Sequence, residues 1–253
     1  MSKKPVAVQL WTLREQIAED LAGTLARVAE IGYSGVELWF PVYPPVDELR
    51  AVLHTTGLQP VGAHIPYLDL REDFDRVADY HYALGNGDLV IPVVPADLRR
   101  GEADWKERVA EIEAIARRCR EAGFRFSYHN HGMELEEVVD GATVHDTIFS
   151  AVPPDLLKAE IDTYFFAAAG LDPAAAIRRF AGRVPLLHLK DRAVPPAQGT
   201  VEIGQGTIDW DGVLAAAAEA NVEWFIVEQN CLQHSPLDSI RMSLEFLRAR
   251  GAA

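Results

Sequence analysis

Short apolar runs rich in branched side chains alternate with amphipathic segments along almost the whole chain. Most of the runs are continuously apolar rather than alternating. A continuously apolar strand is typical of a parallel sheet that is covered by helices on both faces. The pattern therefore predicts eight strands, at Val6 to Leu10, Gly35 to Trp39, Pro60 to Ile65, Asp88 to Val94, Phe124 to Asn130, Lys158 to Asp162, Val184 to Lys190 and Trp224 to Gln229.

The segments between these strands carry the spacing and the end signals of helices. Apolar residues from Ile17 to Val28 recur at helical spacing and are followed by Gly32, a common helix stop. Asp172 and Ser235 each precede a proline, and an oxygen-bearing side chain before a first-turn proline is typical of a helix start. Strands and helices are therefore expected to alternate from end to end.

Eight strand and helix units in 253 residues match the size of a (β/α)8 barrel. The alternative is an open doubly wound sheet, which usually carries a glycine-rich phosphate-binding turn after its first strand. Here that turn reads QLWTLREQ and contains no glycine. No linker or change of composition divides the chain, so we expect one domain over residues 1–253, a single α/β TIM barrel.

Composition and charge narrow the function classes. The chain is 49% hydrophobic, with 24 Lys and Arg against 38 Asp and Glu and a formal net charge of -14. Such a surface repels phosphate backbones, so no nucleic-acid partner is expected. No apolar run approaches membrane-spanning length, and we expect a cytoplasmic protein without a membrane partner. The two cysteines, Cys119 and Cys231, support neither a disulfide framework nor a cysteine metal site.

Polar side chains follow the predicted strands at their carboxyl ends, which converge on one site in a barrel. Unpaired buried charge is costly, so apolar strands that end in carboxylates and imidazoles need a compensating partner. A metal ion supplies one. The polar and aromatic residues at these ends are Gln9, Trp11, Glu37, His64, Tyr128, His129, Asn130, His131, Glu134, Glu160, Asp162, His188, Lys190, Asp191, Glu228 and Gln229.

Strands six, seven and eight offer Asp162, His188 and Glu228 as ligands for one divalent ion, Mn, Mg, Co or Zn. For strand five the choice is open. Glu134 is favoured because a second glutamate balances the charge of the ion and can act as a base, although His131 and His129 lie nearer to the strand. The alternative to a metal site is a purely structural role for these residues. Asp162 and Lys190 could form a salt bridge, and His64 or Glu37 alone could be a hydrogen-bonding group.

The motifs QLWTLR, GYSGVELW, VGAHIPY, SYHNHGMEL, EIDTYF, LLHLKDR, EIGQGTIDW and IVEQ, in this order, resemble the xylose isomerase-like TIM barrel superfamily over nearly the whole chain. Within it the chain is similar to the sugar phosphate isomerase/epimerase group, to inosose dehydratase and to D-tagatose 3-epimerase. The resemblance implies a divalent metal held by Glu134, Asp162, His188 and Glu228, with the two glutamates as acid and base. It also implies that His64 and Lys190 contact substrate oxygens.

These residues predict a metal-dependent isomerase or epimerase that acts on a small ketose or keto-sugar through an enediolate. The catalytic candidates are Glu134, Glu228, His64 and Lys190, and the substrate-binding candidates are Trp11, Glu37, His64, His129, His131 and Lys190. Aromatic residues at the barrel mouth would suit an uncharged sugar ring; they are Trp11, Trp39, Tyr67 and Tyr164.

Other functions remain open at this point. The same enediolate can expel a β-hydroxyl or β-glycosyl group, which would make the protein a lyase of the inosose dehydratase kind or a 3-keto-glycoside eliminase. A non-catalytic sugar-binding barrel or one subunit of a complex is a third possibility, and relatives that are dimers or tetramers allow a homo-oligomer. Endonuclease IV resembles the same fold, but its zinc site uses more histidine and acidic ligands, and the charge of -14 argues against DNA.

Overall fold

Eight parallel strands close into a barrel in the computed structural model, which describes residues 3–230 and 234–253. Each strand pairs with the next along the chain, and the eighth pairs with the first. The predicted barrel is therefore confirmed. The barrel strands are β1 (Val6–Gln9), β2 (Gly35–Leu38), β3 (Gln59–His64), β4 (Asp88–Ile91), β5 (Arg125–His129), β6 (Lys158–Asp162), β7 (Leu186–Leu189) and β8 (Trp224–Val227).

Helices follow the strands and cover the outside of the barrel. They are α1 (Arg14–Glu19), α2 (Leu21–Ile31), α3 (Val46–Thr56), α4 (Tyr67–Glu72), α5 (Phe74–Leu84), α6 (Glu102–Glu121), α7 (Gly132–Glu136), α8 (Val144–Ala151), α9 (Thr163–Ala168), α10 (Pro173–Arg179), α11 (Trp210–Glu219) and α12 (Pro236–Ala249). Short 3₁₀ turns lie at Leu10–Leu13 and Ala96–Leu98, and two-stranded ribbons pair Val138–Val139 with Ala142–Thr143 and Asp191–Arg192 with Thr200–Val201.

The end signals in the sequence act as expected. Asp172 accepts a hydrogen bond from the backbone of Ala174 at the start of α10, and Ser235 caps α12 through the Asp238 N–H. Gly32 ends α2 in the left-handed conformation, at φ 104°. The fourth strand is shorter than predicted, because it ends at Ile91, directly before a proline, which has no N–H for a sheet.

The barrel interior changes from apolar to polar along the strands. A small cluster of Ala7, Val61, Val90, Leu186 and Ile226 fills the interior toward the amino ends. Because side chains alternate along a strand, the residues two positions later face the same interior. These include Gln9 after Ala7, His188 after Leu186 and Glu228 after Ile226, all of them buried. Polar side chains are thereby stacked at the carboxyl end of the barrel.

The helices around the barrel bear on two further predictions, that no segment spans a membrane and that the cysteines form no disulfide framework. In the part of the chain that the structure describes, no helix combines the length and the apolar character needed to cross a membrane. Cys119 is a free thiol buried in α6, and burial raises its pKa to about 12, so it is an inert packing residue. Cys231 lies outside the described residues.

Candidate metal centre

A cavity of about 270 Å³ opens at the carboxyl end of the barrel. Two tryptophans form part of its wall, with the rings of Trp11 and Trp39 edge to face at 4.5 Å between centroids. The polar part of the wall consists of imidazoles, one carboxylate and one amide. The lining residues are Trp11, Trp39, His64, Pro92, Val93, His129, His131, Glu228 and Asn230.

Four side chains from consecutive strands converge beside this cavity, and two of them, His129 and Glu228, form part of its wall. His129 ends β5, Asp162 ends β6, His188 lies in β7 and Glu228 directly follows β8. Each offers one ligand atom, and these atoms all lie within 4.8 Å of one another. In the sheet, Asp162 pairs in register with His188, which places the two side chains side by side. All four residues are buried.

Lys190 lies beside the two carboxylates of this group. Its Nζ is 2.8 Å from Asp162 Oδ2 and 2.8 Å from Glu228 Oε2. Burial acts to lower the pKa of Lys190, but the two carboxylates raise it above its usual range. The ammonium and its partners thus form a salt bridge inside the barrel, with the lysine 1% exposed.

A second set of ionisable groups lies beside the four, and we call Glu37, His64 and Glu160 the inner layer. Glu37 and Glu160 are fully buried, whereas His64 also lines the cavity. His64 Nε2 is 2.8 Å from Glu160 Oε2 and 3.3 Å from Glu37 Oε2. The inner layer also reaches the four, since Glu37 Oε2 lies 2.7 Å from His188 Nε2.

Burial and neighbouring charges give the buried glutamates very different proton affinities. Burial acts to raise the pKa of Glu37, but the His64 and His188 imidazoles hold it at about 2. For Glu160, burial and the Glu37 carboxylate raise the pKa to about 8. Burial also opposes ionisation of Glu228, yet the Lys190 ammonium and His188 hold its pKa well below its usual range.

The four converging side chains suit a divalent ion. Two imidazoles with two carboxylates form a mixed nitrogen and oxygen donor set that binds Mn, Co or Zn. A metal ligand must be deprotonated. Burial, together with His188, lowers the pKa of His129 well below its usual range, so its imidazole is neutral, and Glu228 is ionised. Burial also acts to lower the pKa of His188, but Glu160 and Glu37 raise it, so a bound ion would displace the proton on its Nδ1. The four residues beside the cavity therefore could hold a metal ion.

Glu134, favoured from the sequence as the fifth-strand ligand, is not among the four. Its Oε1 accepts a hydrogen bond from the Tyr128 hydroxyl at 2.9 Å, and its Oε2 accepts one from the His131 backbone N–H at 2.8 Å. It is the third residue of α7, where a glutamate reaches back to the helix start. His129, the alternative nearer to the strand, occupies the position beside the other three.

The remaining predicted site residues divide between the cavity and the interior. Trp11, His64 and His131 line the cavity, whereas Glu37 is fully buried below it. Tyr67, considered for the mouth, is buried in the core with its hydroxyl on Glu111.

Glu160 lies at a strand end and is not among the predicted site residues, yet it belongs to the inner layer. A signal for it existed in the sequence. Glu160 lies two residues before Asp162 on one strand, and this spacing places both side chains on the same face. Two acidic residues at this spacing in an otherwise apolar strand predict two stacked polar layers rather than one.

Comparison with known proteins identifies the family. The family model described as xylose isomerase-like TIM barrel matches residues 25–250. The chain therefore belongs to this family, as its motifs indicated.

The relatives are enzymes of more than one kind. An inosose dehydratase from Geobacillus kaustophilus is 26% identical, covering 88% of this chain and 85% of that protein. A sugar phosphate isomerase/epimerase from Parabacteroides distasonis is 20% identical, with a TM-score of 0.82 over 98% of this chain and 95% of the other. D-psicose 3-epimerase from Clostridium cellulolyticum, solved with D-tagatose, is 16% identical, with a TM-score of 0.75 over 97% and 98% of the two chains.

Proposed function

We propose that this member of the xylose isomerase-like family is a metal-dependent lyase that acts on a keto-sugar or keto-cyclitol. The observation that supports it best is the identity of the fifth-strand residue. Among the four side chains of the candidate metal centre, Glu228 is the one glutamate, and His129 stands where the sequence favoured a second. The carboxylate of Glu134 is engaged at the start of α7.

This difference separates two reactions that share a first step. Epimerisation removes a proton from one face of the carbon beside the carbonyl and returns a proton on the other face, for which two glutamates were expected. Elimination needs one base for that proton and one acid for the leaving oxygen. One glutamate with several imidazoles therefore fits the needs of elimination better than those of epimerisation.

When bound, a divalent ion would supply Lewis acidity, stabilising the negative charge that develops on the carbonyl oxygen. Glu228 takes the proton from the neighbouring carbon, because it is an ionised carboxylate in the cavity wall. The electron pair of that C–H bond forms the C=C bond, and the β C–O bond breaks. The products are an unsaturated ketone and water or an alcohol.

His64 protonates the leaving oxygen in this proposal. It lines the cavity, and although burial acts to lower its pKa, the Glu37 and Glu160 carboxylates raise it. These two neighbours therefore favour the protonated form of the imidazole, which is the form that can act as an acid. Trp11 and Trp39 offer ring faces and edges to the apolar side of an uncharged ring. The similarity to the inosose dehydratase from Geobacillus kaustophilus also supports a keto-cyclitol or keto-sugar as the substrate.

Proton NMR in deuterated water tests the proposal, with metal-loaded protein and a panel of inososes, 3-keto-glucosides and ketoses. We expect loss of the hydrogen beside the carbonyl together with an unsaturated product and released water or alcohol. Exchange of that hydrogen with an epimer or isomer as the product would instead establish the isomerase predicted from the sequence. Metal and sugar binding without exchange would indicate a binding protein.

A further inference from the structure

We propose that Glu37 and Glu160 are positioning residues, which orient the imidazoles of His188 and His129 toward the candidate metal centre. This inference rests on the metal site of the proposed function but not on the reaction. It assigns a further role to two fully buried carboxyl groups, which in the mechanism act only on the pKa of His64.

His188 contacts a carboxylate through each of its ring nitrogens. On the cavity side, Nδ1 lies 3.0 Å from Glu228 Oε2. On the inner side, Nε2 lies 2.7 Å from Glu37 Oε2. A ring that binds an ion between Asp162 and Glu228 must use Nδ1. Its Nε2–H is then the donor to Glu37, and this bond holds both the tautomer and the ring plane.

His129 has the same arrangement with its nitrogens reversed. Its Nδ1 lies 2.9 Å from Glu160 Oε2, in the inner layer. Its Nε2 faces the cavity side, 3.6 Å from Asp162 Oδ2. An ion at the centre would thus be bound through Nε2 of His129 and Nδ1 of His188. On the inner side, His129 meets Glu160 alone, whereas His188 Nε2 lies closest to Glu37 and 3.3 Å from Glu160.

The inner carboxylates are themselves held from several sides. Gln9 donates from Nε2 to Glu37 Oε2 at 2.5 Å, and the two residues pair in register between β1 and β2. His64 Nε2 contacts both glutamates, at 2.8 Å from Glu160 and 3.3 Å from Glu37. Neither side chain is exposed, and the Oε2 atom of each carboxylate is the one that these protein contacts hold.

Gly62 provides the space for one of these carboxylates. It pairs with Glu37 between β2 and β3, and a Cβ at this position would lie 2.9 Å from Glu37 Oε1. Any larger residue would therefore displace the Glu37 carboxylate. Packing alone does not call for charge at this depth, because apolar residues fill the adjoining interior, and buried ion pairs are often replaceable by apolar groups without loss of stability.

Metal binding by the intact protein tests the role directly. The probes are Mn²⁺ and Co²⁺ alone, with affinity from calorimetry and the d–d absorption of bound Co²⁺ as a signature of ligand geometry. The variants are Glu37→Gln and Glu160→Gln, which keep the side-chain shape but replace the carboxylate. Gly62→Ala displaces Glu37 without changing its chemistry. Glu202→Gln is the matched control, because Glu202 is a buried glutamate whose imidazole contact is to His234, at 3.0 Å.

We expect Kd for both ions to rise about 10- to 100-fold in Glu37→Gln and Glu160→Gln, with a changed Co²⁺ spectrum. Gly62→Ala is also expected to raise Kd and to change the Co²⁺ spectrum. This variant keeps the test valid if a glutamine variant does not fold. Glu202→Gln should bind as the wild type does. A purely structural role would lower the thermal midpoint of the metal-free protein but leave Kd and the spectrum of the folded variants unchanged.

Unchanged Kd and Co²⁺ spectra in all three folded variants would overturn the inference. If the wild type bound no metal, both the inference and the metal site of the proposed function would be wrong. If the wild type bound metal and the variants bound it weakly, but no keto-sugar were turned over, the positioning role would stand and the proposed reaction would fail.

Discussion

Buried histidines lie in two regions of this protein, and the two regions hold them differently. Inside the barrel, His188 contacts Glu228 through one ring nitrogen and Glu37 through the other. In the helical layer outside, the described polar contact of the His81 ring is to the amide of Asn86, with Nδ1 3.1 Å from Nδ2. Both histidines are fully buried.

The partners decide the charge of each ring. Burial alone lowers the pKa of His81 to about 4, since a neutral amide does not offset the cost of a buried charge. Burial also acts to lower the pKa of His188, but Glu160 and Glu37 raise it well above its usual range. The outer histidine is a neutral packing group, whereas the inner one belongs to a charged network. We therefore expect substitutions outside to change stability and those inside to change activity.

The largest expected effect is on turnover, in the interior. Glu228→Gln removes the proposed base and one metal ligand, and we expect kcat for elimination to fall by about 10³-fold. The rate of unsaturated-product formation measures it, with far-UV circular dichroism to verify folding. Glu219→Gln is the control, because Glu219 is an exposed surface partner of Arg178. Turnover within a few-fold of the wild type would exclude Glu228 as the base.

The next largest effect is expected in the outer region, on the pH dependence of the free energy of unfolding. His81 has a folded pKa of about 4, below the value of 6.5 for an unperturbed side chain. The unfolded state therefore binds more protons between these values, so His81 contributes stability above pH 6.5 that is lost as pH falls toward 4. The loss is roughly 3 kcal/mol between pH 7.5 and pH 4. His81→Phe should remove this contribution to the change of the free energy of unfolding with pH.

Urea unfolding at pH 7.5, 5.5 and 4 measures the difference between wild type and His81→Phe. The control is His54→Gln, which replaces a histidine at an exposed position on α3. Parallel stability curves for wild type and His81→Phe would show that the outer histidine is not held neutral, and the contrast between the two regions would fail.

Metal addition is expected to stabilise the protein through the interior alone. At a free ion concentration of 100 times Kd, binding adds about 2.7 kcal/mol to the free energy of unfolding. Thermal unfolding after treatment with a chelator, and again after addition of Mn²⁺, measures the gain. Asp162→Asn should show a much smaller gain. An equal gain in that variant would place the bound ion elsewhere.

The smallest effect is expected at the cavity wall. Trp39→Ala removes one of two contacting tryptophan rings, and we expect KM for a keto-sugar to rise about fivefold with kcat little changed. Steady-state kinetics separate the two constants. Val42→Ala, at an exposed position in the same loop, is the control. A fall in kcat with KM unchanged would mean that Trp39 acts on the reacting centre rather than on substrate binding.

The fold could be predicted from the sequence because its signals are local. Apolar runs, glycine stops and polar caps each act within a few residues, and the observed strands agree with the predicted ones to within three residues. The main discrepancy, the early end of β4 at Ile91, has a local cause as well, in the proline that follows. Closure of the sheet followed from the number of units and their size.

The site could be predicted only in part. Asp162, His188 and Glu228 were selected because strand ends converge in a barrel, and the structure does bring them together. The choice between Glu134 and His129 depended on the path of the chain after β5. Glu134 lies in the first turn of α7, where its carboxylate reaches backbone and hydroxyl donors near at hand, so the helix start rather than the centre holds it.

The sequence by itself thus determined the barrel, the end of the barrel at which polar groups gather, and most of the residues that gather there, because strand periodicity and chain order decide these. Only the tertiary structure decided which nitrogen of His129 and His188 faces the cavity, and that Glu37 and Glu160 lie behind them. The physical reason is that these contacts join β2, β5, β6 and β7, which are distant in sequence. Their distances depend on barrel closure and strand register, which no local pattern records.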